Sequence, residues 1–191
     1  PQAKHLSTDS EVVFVADLFV KNYVGGAELT SQAIIDASPF AIETLLSKEV
    51  TIELLEEGHQ KYWVFGNFAG LDQQLIPSII ANLDYSILEY DYKYCKYRSV
   101  EKHLYSEMKE CDCHDQMWGK LISAFYYGAK SLWWMSEKQQ DKYSTLFPFL
   151  SERESTVLSS VFDDRFFAAI KDLNEKYKDH ERSGWIVLGS N

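Results

Sequence analysis

Two stretches of this chain carry residue types whose spacing could do chemistry. The segment "YCKYRSVEKHLYSEMKECDCHD", residues 94 to 115, gathers all three cysteines and two of the five histidines. Thiolate and imidazole are the ligands of tetrahedral structural zinc, so Cys95, Cys111 and Cys113 with His103 or His114 could close such a site. The spacing argues the other way: Cys111-x-Cys113 is tighter than the usual zinc knuckle, and Cys95 stands well apart. The alternative is free thiols with both histidines solvated. The second stretch is "NYVGGAEL", residues 22 to 29, where Gly25 and Gly26 lie between the apolar run "VVFVA" and a segment of helical pattern. Glycine lets backbone N–H groups at a helix N-terminus approach an anion closely. A glycine pair also serves plain tight βα packing, and Glu28 in a first helical turn suits the helix dipole by itself.

The elements that must position these residues alternate along the chain. Strands are expected at 12–16, 41–47, 61–67, 85–94, 131–136, 155–162 and 184–191. Helices are expected at 27–38, with Leu29, Ala33 and Ile34 on one stripe, at 52–58 between a Thr51 cap and Gly58, and at 71–83, where Pro77 marks a kink or a restart. Further helices follow at 118–130, at 137–147 before Pro148, and at 164–178, with Asp163 and Asp164 read as a hinge loop and cap. A strand through Tyr94 puts Tyr90, Tyr92 and Tyr94 on one face. The polar segment from Cys95 to about Gln116 reads as an insertion without an apolar core.

Strands alternating with helices imply right-handed parallel βαβ units, hence a doubly wound, Rossmann-like α/β fold with helices on both faces. Ligands in such sheets bind at the carboxyl ends of the strands. The loops there carry Asp17, Tyr23, Asn67, Asp91, Ser136 and Glu137.

Composition narrows the partners. With 191 residues, 46% hydrophobic and 15% aromatic, the chain can bury a sizeable core. A formal charge of −10 argues against general nucleic-acid binding, and an anionic ligand needs a local exception. No apolar run approaches the length of a membrane helix, and "PQAKHLSTDSE" lacks the pattern of a signal peptide. The expectation is a soluble, cytoplasmic protein, and an odd number of cysteines suits a reducing compartment.

The stretches "VGGAEL", "WWMSEKQQDKY" and "STVLSSVFDD" followed by "GWIVLGSN" together resemble the N-terminal half of a GT-B glycosyltransferase, specifically glycosyltransferase family four. "VGGAEL" is similar to that family's loop after the first strand. "WWMSEKQQDKY" looks like its strand, Ser-Glu and helix step. "STVLSSVFDD" followed by "GWIVLGSN" resembles the hinge and opening strand of a second domain. The likeness spans nearly the whole chain in order, with only the Gly-Gly loop a specific motif. The segment Cys95 to Gln116 matches nothing familiar in the family, and the helix after Asp36 is short before the second strand.

The resemblance implies sugar transfer, with retention, from a nucleotide-diphosphate-sugar donor to an unknown acceptor. Gly25, Gly26, Ala27 and Glu28 would form the donor diphosphate loop, and Asp17, Tyr23, Asn67, Asp91, Ser136 and Glu137 would surround the acceptor. It also implies domain boundaries of 1–183 and, from 184 to 191, the first strand of a C-terminal donor-binding domain that would hold the acidic pair. On that basis the chain alone is expected to be inert. The alternative is a non-enzymatic α/β module whose Cys/His-rich insertion binds a partner.

Overall fold

The computed structural model describes residues 4–181, 183 and 184. The chain divides into two compact units, one ending at Val161 and the other beginning at Phe162. In the first unit, β1 (Val12–Ala16) is an uninterrupted buried run of valine, phenylalanine and alanine, as a central parallel strand requires. Around it lie β2 (Ile42–Leu46), β3 (Tyr62–Phe65), β4 (Asp84–Glu89), β5 (Ser131–Trp134) and β6 (Glu154–Val157). The six strands are all parallel, in the order β2-β1-β3-β4-β5-β6.

Alternation along each strand builds two cores. Val13 and Val15, Trp63 and Phe65, Tyr85 and Ile87, and Leu132 and Trp134 face one side. There they meet Leu54 and Leu55 of α2 (Ile52–Glu57), Ile76 and Ile79 of α3 (Ile76–Asn82), Ile122 and Phe125 of α5 (Met117–Gly128), and Tyr143 of α6 (Glu137–Leu146). Val12, Phe14, Val64, Leu88 and Trp133 face the other side, against Ile34 and Ile35 of α1 (Gly26–Ala37). Right-handed crossovers explain the asymmetry: the step from β1 leftward to β2 puts α1 on one face, and every later rightward step puts its helix on the other. The doubly wound α/β class is therefore present, with its reversal of strand order between β1 and β3.

Local expectations mostly hold, with informative exceptions. Thr51 accepts a hydrogen bond from the Leu54 N–H as the cap of α2. Pro77 marks a restart: a short 3-10 turn, Gln73–Leu75, runs into α3 with the proline in its first turn, where it forfeits no helical bond. The fourth strand does not reach Tyr94. It stops at Glu89, because the Asp91 N–H turns back onto the Glu89 side chain and the Tyr92 N–H bonds to the Arg98 carbonyl. Consequently Tyr90, Tyr92 and Tyr94 do not share a strand face. Tyr90 bonds Ser31 of α1 at 2.7 Å on one side of the sheet, whereas Tyr92 and Tyr94 pack on Tyr143 on the other.

Nor does the polar segment lack an apolar core. It forms α4 (Val100–Glu107), and Cys95, Cys113, Tyr97 and Val100 join the larger core. The sixth strand ends at Val157, short of the expected 162. No helix among the described residues is long and apolar enough to cross a membrane.

The second unit contains α7 (Asp164–Lys176). Asp163 caps it by accepting from the Phe166 N–H at 2.8 Å, and Phe162 stacks on Phe166 with ring centroids 4.4 Å apart. Of the strand expected over 184–191, all but Gly184 lies outside the described residues.

Candidate functional site

The carboxyl ends of β1, β3 and β4 meet at the reversal of strand order, and one guanidinium ties them together. Arg98 donates from Nε to Asp91 Oδ2 at 2.6 Å and from Nη2 to Asn67 Oδ1 at 2.8 Å, with Nη1 3.6 Å from Asp17 Oδ2. Asp17, the residue after β1, accepts from the Ala69 and Gly70 N–H groups at 3.0 Å each and from Ser47 Oγ at 2.5 Å. Asp17 thus fastens the loop after β3 and the turn after β2, while Arg98 fastens Asp17 to the loop after β4. Burial pushes the Asp91 carboxyl up, but Lys93 and Arg98 outweigh it and leave its pKa lowered. The Arg98 guanidinium is correspondingly raised: burial works against the charge and the Asp91 carboxylate more than restores it. Arg98 holds this position with φ at +57°, a left-handed conformation that a side chain of its size rarely adopts.

Beneath this edge lies a buried pair. Glu89, 1% exposed, accepts at Oε1 from the Asp91 N–H at 2.9 Å and from Lys93 Nζ at 3.1 Å; Lys93 is 3% exposed. Burial pushes Glu89 up to about 8 against the pull of Lys93. Lys93 also reaches Asp91 Oδ1 at 3.3 Å and lies over the Phe68 ring. Gln139 completes the edge, donating to the Asp91 carbonyl at 2.9 Å and accepting from the Met135 N–H at 2.8 Å. Ser136 and Glu137 are exposed helix-terminus residues: Ser136 caps α6 by accepting from the Gln139 N–H, and Glu137 lies in its first turn.

The glycine loop follows β1 at the same end of the sheet. Gly25 is the cap residue of α1 and Gly26, Ala27 and Glu28 begin its first turn, with no side chain capping the free N–H groups. The two glycines differ in their surroundings. A Cβ on Gly25 would lie 2.6 Å from Glu28 Oε2 and 2.7 Å from the Tyr23 ring, whereas one on Gly26 would meet nothing within 4 Å. Burial raises the pKa of Tyr90, and the buried Glu28 nearby adds a smaller push; Tyr23 is largely exposed.

The sulfur and imidazole ligands converge on the far side of the loop after β4. Cys95 comes from that loop, His103 from α4, and Cys111 and Cys113 from the segment leading into α5. The four ligand atoms lie within 4.8 Å of one another, and this group could hold a metal ion. His103 Nδ1 is 3.6 Å from Cys95 Sγ and 3.5 Å from Cys113 Sγ. Metal–ligand bonds of about 2.3 Å to sulfur and about 2.0 Å to nitrogen set tetrahedral corners about 3.5–3.8 Å apart, so the donor set fits.

His103 Nε2 is buried without a hydrogen-bond partner among the described residues, and the ring stands perpendicular to Tyr97. Burial, with the neighbouring thiols, pushes Cys111 up to about 12. His114, the alternative ligand, packs against Phe147 and Asp115 instead.

No family model matches the sequence, and no curated protein matches it.

The structure therefore brings Asp17, Asn67 and Asp91 into one network, and Cys95, His103, Cys111 and Cys113 into another. Sequence reasoning missed Glu89, Lys93, Arg98 and Gln139. A signal for the first two was present: in "EYDYK" acidic and basic residues alternate with tyrosines, and Asp91 is a turn former that should have ended the strand.

Proposed function

We propose that this chain is the acceptor-side domain of a GT-B glycosyltransferase that uses a nucleotide-diphosphate-sugar donor. The observation that carries the reading is the pairing, at one end of a parallel sheet, of an uncapped helix N-terminus at Gly25–Glu28 with the polar edge of Asp17, Asn67, Asp91 and Arg98. Transfer from such a donor leaves charge on the departing diphosphate, and backbone N–H groups in the first turn of α1 are suited to receive it. A Cβ on Gly26 would meet nothing within 4 Å, so that side of the turn is open. The polar edge offers carboxylate and amide acceptors to sugar or acceptor hydroxyls. A donor-binding domain would form the opposite wall, so this chain alone is expected to bind donor weakly and to transfer no sugar.

The ion proposed for Cys95, His103, Cys111 and Cys113 is zinc. Three thiolates and an imidazole suit a closed, redox-silent tetrahedral centre. Its chemistry there would be structural, tying the loop after β4, α4 and the segment leading into α5 to one another.

Titration of the isotope-labelled chain with uridine, guanosine and adenosine diphosphate sugars tests the donor reading. Shifts centred on Gly25–Glu28, with affinity of roughly millimolar, are expected. Absence of any shift there at saturating donor would sink the reading of the loop. Sugar transfer by the chain alone would overturn the expected inertness. For the ion, metal content well below about 0.1 equivalent in protein purified without chelator would exclude zinc.

A further inference from the structure

The metal group and the Arg98 edge are joined by one short loop. From Tyr92 to Arg98 the chain closes on itself: the Tyr92 N–H donates to the Arg98 carbonyl at 3.2 Å, the Cys95 N–H to the Tyr92 carbonyl at 2.8 Å, and the Arg98 N–H to the Cys95 carbonyl at 2.8 Å. Cys95 Sγ points into the metal group and also lies 3.5 Å from the Ser99 carbonyl. Arg98, three positions on, reaches the other way to Asp17, Asn67 and Asp91. Its left-handed backbone is unfavourable for a side chain of its size and persists only where surrounding contacts enforce it.

Two further contacts bind the same parts together. Trp118 of α5 donates to the Lys93 carbonyl at 2.8 Å, and the next residue, Gly119, packs against the Cys113 carbonyl so closely that a Cβ would lie 2.1 Å from it. A cavity of about 200 Å³ lies between the two networks, with Phe68, Lys93, Cys95, Arg98 and Trp118 in its walls.

We propose that a metal ion held by Cys95, His103, Cys111 and Cys113 sets the position of Arg98, and through it the Asp17, Asn67 and Asp91 edge. Arg98 is then a positioning residue under the control of the ion. The inference rests on the zinc reading of the group and is independent of the donor reading. Without the ion, His103 Nδ1 alone links Cys95 and Cys113, and the loop's hold on a strained Arg98 slackens. With it, four ligands from three segments are drawn together, and Cys95 is fixed three residues from the guanidinium.

The test uses the whole 191-residue chain, nitrogen-labelled, as purified with zinc, after chelator treatment, and after return of zinc alone. The Arg98 Nε–H cross-peak, assigned by its loss in Arg98→Lys, reports the bond to Asp91 directly. It is expected to be sharp with zinc, lost on stripping and restored by one equivalent. Amide exchange at Arg98, Ala69 and Gly70 should quicken about tenfold or more on stripping, while Val13 to Val15 stay protected. Cys111→Ser should mimic stripping in the presence of zinc, and Cys111→His, which keeps a ligand, should restore the signal. An Arg98 signal unchanged on removal of a bound ion overturns the coupling and leaves the zinc reading intact. Loss of protection at Val13 to Val15 as well makes the ion a general stabiliser and also overturns it. Failure to bind any ion removes both inferences, and the donor titration is untouched by either result.

Discussion

Arg98 and Asp91 form the closest charge pair at the strand ends, with Nε and Nη2 both on Asp91 Oδ2, at 2.6 Å and 2.5 Å. Asp91 is half-buried and keeps its charge because this guanidinium and Lys93 offset its burial. Arg98→Ala removes one of the two cations and the tie to Asn67, while retaining a left-handed backbone that alanine also dislikes. Breaking a buried pair costs several kcal/mol, and the partial exposure of Arg98 screens part of that. A loss of about 1–3 kcal/mol in urea unfolding at neutral pH is expected, with the Asp91 pKa rising toward its ordinary value. A variant as stable as the parent would show that the pair is incidental.

Glu89 gives the molecule a pH dependence of definite sign. Its carboxyl titrates at about 8 when folded, against an ordinary value of 4.5, because burial disfavours the charge. Between those values the folded state holds a proton that the unfolded chain releases, so this group makes stability fall as pH rises. Below about 4.5 its contribution is fully present, and above about 8 it is lost. At roughly 1.4 kcal/mol per unit the change is on the order of 2–4 kcal/mol once coupling to Lys93 is allowed for. Glu89→Gln keeps an oxygen for the Asp91 N–H and cannot ionise. Thermal melts from pH 5 to 9 should therefore fall less steeply for the glutamine variant than for the parent, and parallel curves would contradict a protonated Glu89.

Much of this arrangement was legible in the residues. Alternating apolar runs and helical stripes determine a parallel, doubly wound sheet, and its rule for ligand position selects Asp17, Asn67 and Asp91. Arg98 escaped because nothing local marks it: it acts across separations of 31 residues to Asn67 and 7 to Asp91, through a loop whose closure depends on tertiary contacts. The cysteine spacing did not reveal the grouping of Cys95, His103, Cys111 and Cys113 for a related reason. A zinc knuckle is local, whereas here α4 carries His103 to Cys95 and Cys113 from eight and ten residues away. The tyrosines at 90, 92 and 94 kept a strand's period past the strand's end, and periodicity alone cannot see a turn that is stabilised by Glu89 and Arg98.

The glycine pair should not behave as two equal residues. A methyl at Gly25 meets Glu28 Oε2 and the Tyr23 ring within 2.7 Å, and both must move to admit it. Because those are the ends of movable side chains, the cost is about 1 kcal/mol, with displacement of Glu28 the chief structural effect. Gly26→Ala meets nothing, and in a first helical turn it should be neutral or stabilise by up to about 1 kcal/mol. If a diphosphate approaches this turn, Gly26→Ala should still weaken the donor-induced shifts, separating ligand contact from folding. Equal stability losses at both positions in thermal melts would contradict the packing seen around them.

Gly119 offers the sharpest link between packing and the metal group. Its Cα faces backbone: an added Cβ would lie 2.1 Å from the Cys113 carbonyl oxygen and 2.7 Å from the His114 Cα, neither of which can rotate away. Gly119→Ala must push α5 and the Cys113 segment apart, at a cost of about 1–3 kcal/mol by the measure of other overpacked cores. That displacement moves one sulfur relative to His103, 3.5 Å away, and a tetrahedral site tolerates little of it. The variant should therefore lose zinc affinity as well as stability. Competition with a chromogenic chelator reads the first and urea unfolding of stripped protein the second. A Gly119→Ala chain that binds zinc as tightly as the parent would mean that Cys113 is not a ligand, whatever happens to its stability.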